Sequence, residues 1–227
     1  MLRSDKIELF KEETIKFNKK HNLISKNNPG KIIDEAIEEA TTLTKHLKRY
    51  RNILDIGTGG GLPGIPLAIF NENKNIYLSE KNNKKNYHLK KIIKLLEIKN
   101  AKTVGGFNKS TKISKRVDCV VTKAFASTKK TIKLLEIENA TTIGSANKNT
   151  KINKKVDCVV TKAFASTKKT IDIANSFLEK PFTLMLLKGK LKTINKEIAE
   201  ANISKENYEI IKIENEKEKH ILKIQNE

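Results

Sequence analysis

Asp55, Gly57, Gly59, Gly61 and Glu80 are the residues whose types and spacing could do chemistry. Asp55 stands two residues ahead of a stretch holding five glycines, at positions 57, 59, 60, 61 and 64. Glycines let a backbone turn sharply and approach a ligand closely, because a side chain there would block both. The apolar run Ile53 to Ile56 reads as a buried strand, and helical character resumes at Ile65. The loop is therefore a strand-to-helix turn, where a ligand is expected to meet the free amides of a helix N-terminus.

The same residues discriminate between ligands. A dinucleotide fingerprint would place its third glycine at position 62, which is Leu62. A carboxylate at Asp55 would repel a pyrophosphate but suits a cation such as S-adenosylmethionine. Glu80 ends the next predicted strand, Asn75 to Ser79, where an acid in such folds accepts hydrogen bonds from ribose hydroxyls. No nucleophilic triad, carboxylate pair or metal-ligand spacing is present, so no catalytic side chain and no metal are expected. A glycine loop that merely joins a strand to a helix is the bland alternative.

Around this loop the chain shows predicted elements in regular alternation. A helix over 5–19, with Ser4 as its cap, carries Ile7, Phe10 and Phe17 on one face. Asn27-Asn28-Pro29-Gly30 breaks the chain before a second helix, whose acids come early and bases late, as the helix dipole prefers. These two helices form an N-terminal cap (1–50) packed on the sheet of the domain that follows (51–227). A helix from about Lys84 to Glu97 buries Leu89, Ile92, Ile93 and Leu96 and exposes a lysine face built on Lys81, Lys84, Lys85, Lys90, Lys91 and Lys94. That face is either an RNA contact or a solvated surface. Toward the C-terminus come a strand at 182–187, a helix at 191–201, and two alternating runs at 208–213 and 220–224 that read as an antiparallel pair.

Residues Lys94 to Ile132 recur as Lys133 to Ile171, 39 residues each with 31 identical, and Val117 to Ile132 is repeated without change. Each copy carries two predicted strands, 102–104 and 117–122 in the first, 141–143 and 156–161 in the second. Either the extra copy extends or flanks the sheet, or one copy of each strand docks and the rest bulges out. Thr103 to Gly106 and Val156 to Thr161 are the favoured docked pieces, because each adjoins an element the sheet already needs.

The segment Asp55-Ile-Gly-Thr-Gly-Gly-Gly-Leu-Pro-Gly-Ile-Pro-Leu-Ala68 resembles the signature of the RsmG (GidB) family of bacterial methyltransferases. Asn18 to Ile24, Lys123 to Ser127, Leu186 to Gly189 and Glu218 to Ile221 match in order. The resemblance implies a Rossmann-like α/β fold, with a mostly parallel seven-stranded sheet, an antiparallel C-terminal strand pair and preceding helices. It also implies S-adenosylmethionine as cofactor, N7 of a guanine in 16S ribosomal RNA as substrate, and free RNA or a small-subunit particle as partner. Asp55, Gly57, Gly59, Gly61, Leu62 and Glu80 then become cofactor residues, with Phe107 and Asn108 near the adenine. Lys123 and Lys162 stand where relatives carry an Arg beside the cofactor. Lysine keeps the charge and loses the bidentate fork, which implies weaker cofactor binding. In the second helix, Ala36, Glu39 and Ala40 occupy positions where relatives carry a His and an Asp-Ser pair, and His220 matches a family His.

Composition agrees with a polar, foldable chain: 37% hydrophobic, 32% charged, and no Trp. No apolar run could span a membrane and no apolar leader precedes the first helix, so a cytoplasmic monomer is expected. Cys119 and Cys158 read as reduced core residues. The formal net charge of +20 favours a polyanion partner, though a generally lysine-rich composition would produce the same figure. Two other functional readings remain: a catalytically impaired RNA-binding relative, and a methyltransferase for a different substrate.

Overall fold

A computed structural model describes residues 1–106, 113, 115–123, 156–162, 165–176, 178–215 and 218–227. The chain divides into two compact units, Met1–Phe107 and Asn108–Glu227.

In the first unit, strands β1 (Asn52–Ile56), β2 (Asn75–Ser79) and β3 (Ala101–Gly105) lie parallel in the order β3-β2-β1. Asp55 is level with Leu78 on β2, and the β2–β3 register slips between Leu78 and Ser79, which brings Ser79 opposite Gly105. Asp55 apart, the central residues of β1 and β2 are apolar without alternation and buried, which suits strands covered on both faces. Four helices accompany them: α1 (Arg3–Lys20), α2 (Pro29–His46), α3 (Gly64–Phe70) and α4 (Asn83–Leu95). This βαβ alternation is Rossmann-like.

The start of α1 differs from the expected Ser4 cap. The Asp5 carboxylate accepts the Leu2 amide at 3.4 Å, and Ser4 lies inside the helix. Asn28 caps α2 through Lys31 N–H, with Pro29 in the first turn. Lys74 is buried, and its ammonium donates to the carbonyls of Leu47, Lys48 and Tyr50, which closes the C-terminal end of α2. Helices α1 and α2 pack on each other and on α3, and α1 also meets α4.

The second unit orders its strands β4-β5-β6-β8-β7: β4 (Cys119–Lys123), β5 (Cys158–Lys162), β6 (Phe182–Lys188), β7 (Tyr208–Lys212) and β8 (His220–Asn226). Strands β4, β5 and β6 are parallel, and β8 runs antiparallel to both β6 and β7. Helices α5 (Thr167–Asn175) and α6 (Leu191–Glu200) pack against each other. Both copies of the repeated strand are in place, paired residue for residue from Cys119↔Cys158 to Lys123↔Lys162. The described residues thus hold eight strands where seven were expected, and the choice of Val156 to Thr161 alone as the docked copy is corrected. The physical reason is identity: two strands with the same Cys-Val-Val-Thr-Lys pattern are equally fit for a buried parallel position. Both cysteines are buried and free. The expected strand at 141–143 lies outside the described residues.

Candidate cofactor-binding site

The glycine loop leaves β1 with Gly57, Gly59 and Gly61 at φ of 72°, 61° and 92°, a region that favours glycine. The loop is tied to β2 by Gly57 N–H and Thr58 N–H, which both donate to the Ser79 carbonyl at 2.9 and 3.1 Å. Gly61 and Leu62 turn back on the Thr58 carbonyl. Leu62 is buried, so it anchors the loop by packing.

Asp55 is fully buried, and its Oδ2 accepts the Gly64 amide at 3.0 Å. Gly64 opens α3, and the amides that follow are also engaged. Ile65 N–H donates to the Gly61 carbonyl at 2.7 Å, Pro66 has no N–H, and Leu67 N–H donates to the Pro63 carbonyl. The expected free amides at a helix N-terminus are therefore absent here. A carboxylate of the chain itself sits where an anionic ligand would bind, and it fills that role of the helix dipole from inside. A Cβ at position 64 would meet Asp55 Oδ2 at 2.6 Å and the Leu78 side chain, so only glycine permits this closure.

Glu80 joins three pieces of the site. Its Oε2 accepts Gly59 N–H at 3.1 Å and its Oε1 accepts Asn82 N–H at 2.8 Å, linking the loop to the N-cap of α4. Its own amide donates to the Gly105 carbonyl at 2.9 Å, and the Asn86 side-chain amide holds its carbonyl. Each carboxylate oxygen has a second lone pair, so Glu80 keeps acceptor capacity after these bonds. No basic side chain occurs between Gly57 and Pro66. Two carboxylates held by backbone amides, around an uncharged loop, make a setting for a cation with hydroxyl donors and a poor one for a pyrophosphate.

Sequence reasoning missed the part of the site built by α1. Asn18 is buried, and its Oδ1 accepts the amides of Leu23 and Ile24 at 2.9 and 3.1 Å, folding the turn after the helix. A Cβ on Gly59 would lie 3.5 Å from the Leu23 carbonyl, and one on Gly60 would lie 3.3 Å from Ile24 Cγ2, so this turn rests directly on the loop. Thr14 Oγ1 bonds His88 Nε2 at 3.3 Å, fastening α1 to α4. Burial lowers the His88 pKa to about 4, with the nearby Lys91 charge acting the same way and Glu13 opposing. The available signal was Thr14 and Asn18, two polar residues at i, i+4 spacing on the face that carries Phe10.

Other expected positions fall elsewhere. Phe107 and Asn108 lie outside the described residues. Lys123 and Lys162 end β4 and β5 in the second unit, level with each other. Ala36, Glu39 and Ala40 are all buried in α2. Lys188 forms a 2.7 Å ion pair with Glu197, which also accepts from Thr167. Burial alone would raise the Glu197 carboxyl, and the Lys188 and Thr167 hydrogen bonds outweigh it and lower it. His220 Nδ1 lies 2.9 Å from the Gly189 carbonyl, a structural bond between the ends of β8 and β6.

Residues 3–136 match the family model described as GidB, rRNA small subunit methyltransferase G. The chain belongs to this family. A curated GidB-family relative from Shewanella sp. (strain W3-18-1), ribosomal RNA small subunit methyltransferase G, is 37% identical over 112 residues, covering 49% of this chain and 54% of the relative. The namesake from Vibrio campbellii is 34% identical over 112 residues, at 49% and 53% coverage. The chain thus spans about half the length of the curated relatives it matches. A solved SAM-dependent methyltransferase from Aquifex aeolicus overlaps with TM-score 0.43 and 13% identity, covering 88% of this chain and 99% of that one. Among the described residues of this GidB-family chain, no group of His, Cys, Asp and Glu could hold a metal ion, and no helix is long and apolar enough to cross a membrane.

Proposed function

We propose that this chain is an S-adenosylmethionine-dependent methyltransferase acting on N7 of a guanine in 16S ribosomal RNA, as a cytoplasmic monomer. The observation that carries the cofactor reading is Asp55 seated on the first amide of α3, which excludes a phosphate there and favours a cation. The substrate reading rests on membership of a family described by its small-subunit rRNA methyltransferase activity.

The residues fit the group. Gly57 and Gly59 would present bare backbone to it, Glu80 would accept from its ribose hydroxyls, and Asp55 would supply a compensating negative field, while the buried Gly61, whose missing Cβ faces Ile65 and Leu89, would keep the turn tight behind them. Phe107 and Asn108 would flank the adenine, and Lys123 and Lys162 are proposed near its polar end. When bound, the cofactor supplies an electrophilic methyl on a sulfonium. The guanine N7 has an in-plane lone pair and carries no proton, so the chain needs no general base. Its task is to hold that nitrogen in line at about 3 to 3.5 Å and to exclude water. Backbone carbonyls and the two buried carboxylates favour the cationic methylated ring as charge develops.

One observation favours a second reading. The doubled strand in the second unit, with Lys where relatives carry Arg, fits an RNA-binding relative that has lost catalysis. Titration calorimetry with S-adenosylmethionine separates the two, with Gly57→Arg as control. Micromolar binding lost in the control supports the enzyme. A folded protein that binds nothing overturns it.

A further inference from the structure

A surface that stacks bases needs exposed rings, and this chain has only 5% aromatic residues. Tyr87 stands out on α4 with 65% of its surface exposed. It does not stand alone: the Phe17 ring lies 6.4 Å from it, and Phe17 in turn lies 4.5 Å from His21 and 4.8 Å from the buried His88. Phe17 and His21 belong to the last turn of α1 and the residue after it, so the rings form a tilted cluster where the two helices meet. Positions i−3, i+4 and i+7 from Tyr87 are Lys84, Lys91 and Lys94, all exposed, which places them along the same stripe of α4. Glu13 is the acid facing this stripe, and Lys91 at 2.6 Å and Lys16 at 3.7 Å already neutralise it.

The platform also has a definite position. Helix α4 begins at the amide held by Glu80, and the turn after α1 rests on the glycine loop, so the rings sit on the two helices that frame the site. The stripe has no continuous apolar surface for an amphipathic helix to enter. Flat rings interleaved with cations suit unpaired nucleotides, whose bases stack while their phosphates take the lysines.

We infer that Tyr87, with Phe17 and His21 beneath it and the Lys84–Lys91–Lys94 stripe beside it, is a stacking platform for unpaired bases of the RNA substrate. The inference rests on the proposed RNA substrate and adds which surface receives it and in which form. A platform of this kind grips nucleotides next to the target guanine while that base enters the cofactor site.

The test uses the full chain and fluorescently labelled 12-nucleotide oligoadenylate, with a 12-base-pair RNA duplex as comparison, in 100 mM salt. Tyr87→Ala is expected to weaken oligoadenylate binding roughly tenfold, on the scale of one stacked base, and to leave duplex binding unchanged. Tyr87→Phe should retain the affinity, and Lys84→Gln with Lys94→Gln should lower the salt slope by about one per lysine. The inference is overturned if Tyr87→Ala binds oligoadenylate like the parent, or loses single strand and duplex equally. Tyr87-dependent binding to phosphatidylserine vesicles in place of RNA overturns it in favour of a membrane surface. Calorimetry with S-adenosylmethionine on the same proteins keeps the two readings apart. Tyr87-dependent RNA binding without cofactor binding sinks the enzyme and spares the platform. Cofactor binding with an indifferent Tyr87 does the reverse.

Discussion

Asp55 holds a helix and is proposed to charge the cofactor site, and substitution separates the two roles. Asp55→Asn keeps an oxygen for the Gly64 amide, so its stability should stay near the parent while S-adenosylmethionine affinity falls. Asp55→Ala strands that buried amide and should cost about 1–3 kcal/mol by urea denaturation. Equal destabilisation by both variants, with unchanged cofactor affinity in Asn, would refute the charge role. Gly64→Ala drives a methyl into Leu78 and Asp55 and should cost about 1–3 kcal/mol, through overpacking at a site with no room to yield. His88 carries a pH signature. Its folded pKa of about 4 lies below the ordinary 6.5, so its contribution is complete above pH 6.5 and drains away as the pH falls toward 4. The loss approaches roughly 3 kcal/mol, because the unfolded chain binds a proton that the buried ring refuses. His88→Leu should remove that part of the acid slope in urea midpoints measured between pH 7 and 4, and an unchanged slope would place it elsewhere.

At the scale of elements, the chain alternates as its periodicity demands, and the elements near the site begin and end close to where they were expected. Asn75–Ser79 is the strand anticipated, and β1 and β3 each extend one residue or so beyond expectation. Apolar runs, glycines and prolines are local signals, and they mark local structure well. The repeated strand is the exception. Removing residues 124–162 joins Lys123 to Ala163 and leaves one uninterrupted copy of the repeat. That variant should melt cooperatively, with Cys119 to Lys123 taking the place of β5 beside β6, because every side chain in the exchanged strand is the same. Hydrogen exchange at Met185 and Leu187, whose amides share the β5 side of the strand with Thr183, reads the outcome: protection retained supports interchangeable strands, and loss of protection shows that the second copy is indispensable.

For the whole molecule, the net charge of +20 has a consequence that salt reveals. RNA affinity of the full chain should fall at least a hundredfold between 50 and 200 mM salt, as released counterions are taken up again, and cofactor affinity should hardly move. A shallow salt dependence would assign the lysines to composition alone.

The class of fold, the glycine loop and the acid at Glu80 were legible in the amino-acid order, as was the argument for a cation over a pyrophosphate, because each depends on residues near one another along the chain. Tertiary structure decided the rest. It showed that Asp55 occupies the helix end expected to be open, that Asn18 and Thr14 brace the loop from α1, and that Tyr87 meets Phe17 and His21. It also gave both copies of the repeated strand a place, which their identity left undecided. Those outcomes depend on contacts between residues up to 74 positions apart, such as Thr14 with His88, and no local pattern specifies which distant partner fills a buried hydrogen bond.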